Sequence, residues 1–258
     1  MKPCLRQCLA AVVSISVVLA VALLGSADAA NAHPGHPVKS LHIDKWYQRY
    51  EDTYNYVEWM TLRGSAIYLS NFATNWQTPV NNARNSYNSP GNAGGQHTVY
   101  ISDYAPSALD DVRVTVTNSS WCFPEFFICV HTLGNLGLTW LYDEALHECV
   151  GNGDCDAQHS RPNTWWYAFP TLDNDAHEVA PYNTSFQRQA TAAHEYGHAI
   201  GIAHDGLGDG SCINTPLVRQ SVMDFDCLNL NILNGPQAWD SCGINHKYYD
   251  PNWGYAGC

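Results

Sequence analysis

Three histidines and one glutamate occur in a single short segment at spacings that suit metal chemistry. The segment His194–Asp205 reads H-E-x-x-H-x-x-G-x-x-H-D. On an α-helix, a spacing of four residues puts His194 and His198 on one face, about one 5.4 Å turn apart. With His204, they could give zinc three nitrogen ligands and leave a fourth position for water, as in catalytic zinc sites. Glu195, rotated about 100° from the first histidine, could act on that water without binding the metal.

A helix followed by a reversal of the chain must position these side chains. Thr184 and Gln187 fit a T-x-x-Q capping box at the helix start. Gly201 permits a left-handed turn that ends the helix, so the chain can bring His204 back to the metal. The alternative is a helix whose histidines merely pack or face solvent. The fixed positions of the glycine and the third histidine favour the metal site.

The motif resembles that of the metzincin metallopeptidases, which include matrix metalloproteinases, adamalysins and astacins. Metzincins also carry a methionine in a tight turn beneath the metal, and Ser221–Asp224 (S-V-M-D) fits that signature through Met223. An ordinary core methionine is the alternative. Asp205, after the third histidine, is similar to the adamalysin pattern, whereas Phe225 stands where astacins have a tyrosine ligand. The resemblance is specific over residues 185–224 and loose elsewhere.

The resemblance also implies a fold and a domain organisation. Strands that precede and follow helices up to the motif indicate an α/β (α+β) sheet core. We expect a metzincin-like two-lobed zincin, with a twisted mixed sheet and an active-site helix over a small irregular C-terminal lobe. The expected divisions are a signal peptide (1–29), an N-terminal extension or pro-segment (30–63) and a metallopeptidase domain (64–258). Its upper lobe would span about 64–204 and its lower lobe 205–258.

Local patterns predict the elements of that domain. Clusters or alternations of β-branched and aromatic residues predict strands, and apolar residues at helical spacing predict helices. The predicted strands are Ala66–Ser70, Thr98–Ser102, Val112–Val116, Phe127–His131, Leu138–Leu141 and Trp165–Phe169. The predicted helices, besides the one with the histidines, are Pro79–Asn88 and a closing helix formed by Pro236 and Asp240–Tyr248, with Pro236 near its first turn.

The first residues have the pattern of a secretory signal. Lys2 and Arg6 precede an apolar run over Leu9–Leu24, and Ala27–Ala29 forms a small-residue cleavage site. The run is short for a membrane span. We therefore expect a secreted, extracellular protein without a membrane span in its mature form. A retained signal anchor is the alternative.

The cysteines favour disulfides. Two of the ten lie in the expected leader, and an even number remains, which is typical of exported proteins. Short loops suggest the pairs Cys122–Cys129, Cys149–Cys155 and Cys212–Cys227, with Cys242–Cys258 left over. A thiolate zinc site fits the irregular spacings less well. Because no cysteine lies between Ala29 and Cys122, the cysteine-on-zinc device of matrix metalloproteinase propeptides is not expected.

The formal net charge of −12 argues against nucleic acid and anionic membrane as partners. We expect peptide or protein substrates and a monomer. Calcium is a possible second cofactor because carboxylates cluster at Asp205–Gly210, at Asp154 with Asp156, and at Asp173 with Asp175. Solvated acidic loops are the alternative.

Together these features predict a secreted zinc endopeptidase with Glu195 as general base and His194, His198 and His204 as ligands. A catalytically inactive zinc-containing extracellular binding or adhesion module is the alternative, although such modules usually lose the glutamate. Nine tryptophans and fifteen tyrosines also allow a carbohydrate-binding hypothesis. We expect these aromatic residues instead to fill the core.

Overall fold

The structure is a computed structural model. It describes residues 40–41, 60–88, 99–107, 110–118, 120–142, 146, 164–165, 167–200, 202, 221–223, 233–237 and 240–241. The expected signal peptide, the third histidine His204, Asp205 and Phe225 lie outside these residues, as does most of the expected lower lobe. Within the described part, no helix is long and apolar enough to cross a bilayer.

The described elements follow one another along the chain, and a 3-10 turn over Ala176–Glu178 precedes the last of them. They are β1 (Ser40–Leu41), β2 (Met60–Leu62), β3 (Gly64–Tyr68), α1 (Ala73–Asn88), β4 (Val99–Ile101), β5 (Val112–Thr117), β6 (Ser120–Phe123), β7 (Ile128–His131), β8 (Gly137–Tyr142), β9 (Thr164–Trp165), β10 (Tyr167–Asp173) and α2 (Ser185–Ala199).

The largest sheet has four strands in the order β3-β5-β10-β8. Strands β3, β5 and β10 are parallel, whereas β8 pairs antiparallel with β10 at the edge of the sheet. All six residues of β5 are buried, as expected for a central strand covered on both faces. The predicted α/β class, with a mixed sheet and a helix that carries the histidine motif, is confirmed.

Two apolar clusters cover the sheet. One includes Val114 and Leu172 of the sheet together with Trp76 of α1 and Tyr196 of α2. The other joins Phe169 of the sheet to aromatic and aliphatic residues of the β6–β7 hairpin. Because neighbouring residues in a strand point to opposite faces, the sheet lies between the helices on one side and the hairpin on the other.

A disulfide between Cys122 and Cys129 joins β6 to β7 at directly paired positions. This confirms the first of the predicted pairs. The other predicted pairs lie outside the described residues.

Several predicted boundaries were wrong, and the strand predicted over Ala66–Ser70 is Gly64–Tyr68. Helix α1 begins at Ala73 rather than Pro79. A proline inside a helix removes one backbone hydrogen bond, but buried Trp76, whose Nε1 donates to Asn174 Oδ1 at 3.0 Å, holds the earlier turn against the sheet. The strand predicted over Trp165–Phe169 falls on β9 and β10, and β10 continues to Asp173, past Pro170, although proline is uncommon within a central strand.

The residues before the expected domain boundary take part in the fold. Strand β2 pairs parallel with β4, and Leu62 is fully buried in the helix-side cluster. The last residues of the expected N-terminal extension therefore pack with the domain.

Candidate metal and catalytic site

Helix α2 positions the first two histidines. Its N-cap is Thr184, whose hydroxyl accepts a hydrogen bond from the Gln187 backbone N–H at 3.1 Å, as the capping pattern predicted. Helix α2 ends at Ala199, and the Ile202 N–H then returns to the Gly197 carbonyl at 2.9 Å. The chain therefore turns back on the last helical turn at Ile202, just after the helix ends. Gly201, which was expected to permit this reversal, lies outside the described residues.

The two histidine rings converge on each other. Their Nε2 atoms are 3.1 Å apart and their ring centroids 4.7 Å apart. Nδ1 of His194 lies 2.9 Å from the Val222 carbonyl, and Nδ1 of His198 lies 2.9 Å from the Ile202 carbonyl. A carbonyl oxygen only accepts, so each Nδ1 carries the proton. In the neutral rings, Nε2 is then the atom with the lone pair.

Two lone pairs that face each other at this distance fit a shared cation. Neither neutral ring can donate to the other through Nε2, because its only N–H is used at Nδ1. Two nitrogens held tetrahedrally by one zinc at about 2.0–2.1 Å would be about 3.3 Å apart, close to the 3.1 Å between the rings. Backbone carbonyls that fix the tautomer are also typical partners of metal-binding histidines.

Histidine, cysteine and acidic side chains of the described residues form no cluster of three or more that could hold a metal ion. The expected third ligand, His204, is not among those residues. The structure therefore brings together two of the three predicted ligands.

Glu195 is buried beside the histidines, with 4% of its surface exposed. Burial raises the pKa of its carboxyl to about 8, although a hydrogen bond from Thr139 opposes that rise. The Thr139 hydroxyl lies 2.7 Å from Oε2. A carboxyl whose pKa lies near neutrality suits general acid–base chemistry, and a nearby cation would lower that pKa.

A cavity of about 500 Å³ joins these groups. His194, Glu195, His198 and Thr191 of α2 line one side of it. The other sides are formed by the start of β8 with the loop before it and by the segment that precedes α2, through Leu136, Leu138, Val179 and Tyr182. The proposed reacting groups therefore share one largely apolar cavity.

Met223 lies directly beneath the helix. It is fully buried, and a Cβ added to Gly197 would lie 2.3 Å from its sulfur atom. A methyl group at position 197 would therefore force the Met223 side chain, and the Tyr87 hydroxyl 2.8 Å away, to shift. The sequence pattern predicted a methionine turn at Met223 and close packing at Gly197, but not that the two residues contact each other.

A buried aspartate holds the methionine turn. Asp240 accepts hydrogen bonds from the Val222 N–H at 3.0 Å, from the Gln237 N–H at 2.7 Å and from the Ser221 hydroxyl. Burial raises the pKa of its carboxyl to about 6, against these hydrogen bonds. Because the Val222 carbonyl orients His194, Asp240 stabilises the site indirectly. The sequence pattern predicted Asp240 within a closing helix but gave no sign of its contact with the methionine turn.

Another histidine, His177, is buried in a structural position. Its Nδ1 lies 2.8 Å from the Asp173 carbonyl, and its Nε2 lies 3.0 Å from the Thr191 hydroxyl. Burial lowers the pKa of His177 to about 4, so the ring is neutral at pH 7 and its Nε2 accepts a hydrogen bond from the Thr191 hydroxyl.

Nothing supports the expected calcium site at Asp173. Its carboxylate accepts from the Thr132 hydroxyl at 2.6 Å and from the Ala176 N–H at 3.1 Å. These contacts give Asp173 a structural role. The other two predicted acidic clusters lie outside the described residues.

No protein-family model and no curated protein sequence matches this chain. Among solved structures, it is similar to high choriolytic enzyme 1, a hatching enzyme zinc-protease from medaka fish (Oryzias latipes), with a TM-score of 0.37 and 10% sequence identity. The alignment covers 83% of this chain and 98% of that chain. Values this low establish neither a common fold nor a common function.

Proposed function

We propose that the chain is a zinc-dependent endopeptidase of the metzincin type. The observation that carries this proposal is the convergence of two Nδ1-protonated imidazoles, His194 and His198, beside a buried glutamate in one cavity. His204 would complete the ligand set from the residues just after the reversal of the chain.

The protein's own groups would hold and move the proton of the reaction. Zinc at this site would supply a Lewis acid that acidifies a water and polarises the scissile carbonyl. Glu195 would take the proton of the attacking water and pass it to the departing amine, because an amide nitrogen leaves poorly unless protonated. Each turnover then returns the carboxylate to its starting state, with no covalent bond between enzyme and substrate.

The edge of the sheet offers a place for an extended peptide. Strand β8 pairs with β10 on one side, and no strand of the described residues pairs with its other side. A peptide could add to that edge through backbone hydrogen bonds. The adjoining cavity, with Leu138 and Tyr182 in its wall, would then take an apolar side chain near the cut.

The remaining sequence-based expectations are part of the same proposal. Residues 1–29 would direct export and be removed, which would place the mature enzyme outside the cell. Residues 30–63 would act as a pro-segment or a stabilising arm, and the catalytic unit would be a monomer.

Replacement of the glutamate tests the proposal. Glu195→Gln keeps the shape of the side chain but removes the base, so we expect cleavage of unfolded casein to fall about 10²–10⁴-fold with zinc still bound. Glu178→Gln is the matched control: Gln keeps an oxygen that can accept from Asn174, as Glu178 does now, and should leave turnover unchanged.

Unchanged turnover by Glu195→Gln would contradict the proposed role of the glutamate. A wild-type protein that binds stoichiometric zinc but cleaves no peptide would support the alternative of an inactive zinc-containing binding module.

A further inference from the structure

Two residues of strand β8 face Glu195. Gly137 and Thr139 are two positions apart, so they lie on the same face of the strand. The Thr139 hydroxyl lies 2.7 Å from Glu195 Oε2 and 3.0 Å from the Glu195 backbone carbonyl. A Cβ added to Gly137 would lie 2.8 Å from both Cγ and Oε1 of Glu195. The strand thus contacts the glutamate with a hydroxyl at one position and needs empty space at the other.

The strand itself is firmly held. Thr139 is paired with Pro170 of β10, and Gly137 with Leu172. On its other side, β10 is paired with β5, a fully buried strand. Threonine is also stiff at χ1 because its Cβ is branched. The sheet therefore fixes the Thr139 side chain, and the Glu195 backbone carbonyl of α2 lies near the same hydroxyl.

We propose that Thr139 and Gly137 are positioning residues that fix the carboxylate of Glu195 for proton transfer. This role rests on the proposed endopeptidase function, and it assigns the proton transfer to one of the two carboxylate oxygens of Glu195. With Oε2 held by the Thr139 hydroxyl, proton transfer falls to Oε1, the oxygen beside Gly137. Thr139 acts only through Glu195, and it is not among the residues that line the cavity in the described part of the chain.

This arrangement links the base to the substrate. The same strand whose outer edge would align an extended peptide also holds the carboxylate that must act on the peptide's scissile bond. One strand would therefore orient both the peptide and the carboxylate, although Glu195 itself lies on α2. Such preorganisation matters because a misplacement of about 1 Å can cost about 10²-fold in rate.

Thr139→Val tests the inference, because it removes the hydroxyl and keeps the branched shape. We expect kcat to fall about 10–100-fold with KM changed less than about 2-fold and zinc content unchanged. Thr139→Ser keeps the hydroxyl and should restore most of kcat. Thr115→Val on β5 is the control, since its buried hydroxyl makes no hydrogen bond within the described residues.

Gly137→Ala provides a second route to the same result. Its methyl group must displace the carboxylate, so kcat should fall while zinc stays bound. Unchanged kcat in both Thr139→Val and Gly137→Ala would overturn the inference, as would a kcat in Thr139→Ser as low as in Thr139→Val.

A readout without metal separates this inference from the proposed function. Thermal unfolding of the metal-free wild type, Thr139→Val, Glu195→Ala and the double variant forms a cycle. If the side chains of Thr139 and Glu195 are hydrogen-bonded, the Tm loss caused by Thr139→Val should be clearly smaller in the Glu195→Ala background. Strictly additive Tm shifts would overturn the contact. Wild type that neither binds zinc nor cleaves peptide would overturn the endopeptidase proposal, whatever the cycle shows.

Discussion

His177 should make the stability of the protein strongly dependent on pH. The ring is fully buried, and burial lowers its pKa to about 4 from the ordinary 6.5. The unfolded chain therefore binds a proton at a pH where the folded protein does not. The resulting stabilisation is complete above pH 6.5 and is lost as the pH falls toward 4.

The magnitude follows from the two pKa values. The difference between a pKa of about 6.5 in the unfolded chain and about 4 in the folded protein corresponds to about 3.4 kcal/mol of stability. All of it is lost once the pH lies below both pKa values. Between pH 7 and pH 5, where only part of the titration occurs, the contribution of His177 to the free energy of unfolding falls by about 1.8 kcal/mol. For a domain of marginal stability, a loss of this size is large.

Urea denaturation at pH 7, 6 and 5 tests this, with wild type and His177→Asn compared in the same metal state. The asparagine can still donate to the Asp173 carbonyl but does not titrate. The variant should be less stable at pH 7, yet lose about 1.8 kcal/mol less than wild type between pH 7 and pH 5. Because other histidines titrate equally in both proteins, their effects cancel. Identical pH dependence in the two proteins would show that His177 does not cause the loss of stability at low pH.

Three further variants have defined outcomes. Gly197→Ala should lower the free energy of unfolding by about 1–2 kcal/mol, because the clash with Met223 outweighs the roughly 1 kcal/mol gain in helix propensity; a more stable variant in urea would contradict this. Asp240→Ala should cost about 2–4 kcal/mol, since it strands buried N–H groups, and should weaken zinc binding measured by competition with a chelator; an unchanged zinc affinity would count against its indirect role. Replacement of Cys122 and Cys129 by serine should lower the free energy of unfolding by about 2.5 kcal/mol, because the loop is no longer closed in the unfolded chain. Urea denaturation under non-reducing conditions measures this loss, and a reducing agent should remove the difference between variant and wild type.

Local patterns predicted the helix of the site well. The spacing of His194 and His198 and the cap at Thr184 are both local features, each set by residues a few positions apart. Local features of this kind can be predicted from the sequence alone. The pairing of Cys122 with Cys129 was predictable for the same reason, because the loop between them is short.

Features that depend on tertiary contacts were not predictable. Thr139 meets Glu195 across 56 residues of chain, and nothing in the sequence distinguishes it from other strand threonines. Asp240 reaches the methionine turn from 18 residues away. Helix α1 begins before Pro79 because the packing of its first turn outweighs the tendency of proline to end a helix. Sequence propensities do not include that packing.

The most direct test of the account is X-ray absorption at the zinc edge of the purified, mature protein. A catalytic site built on His194, His198 and His204 should hold one zinc per chain with three histidine nitrogens at about 2.0–2.1 Å and a light-atom fourth ligand. His204→Ala should lower the number of histidine ligands or release the metal. Sulfur ligands at about 2.3 Å, or less than stoichiometric zinc in active protein, would contradict it.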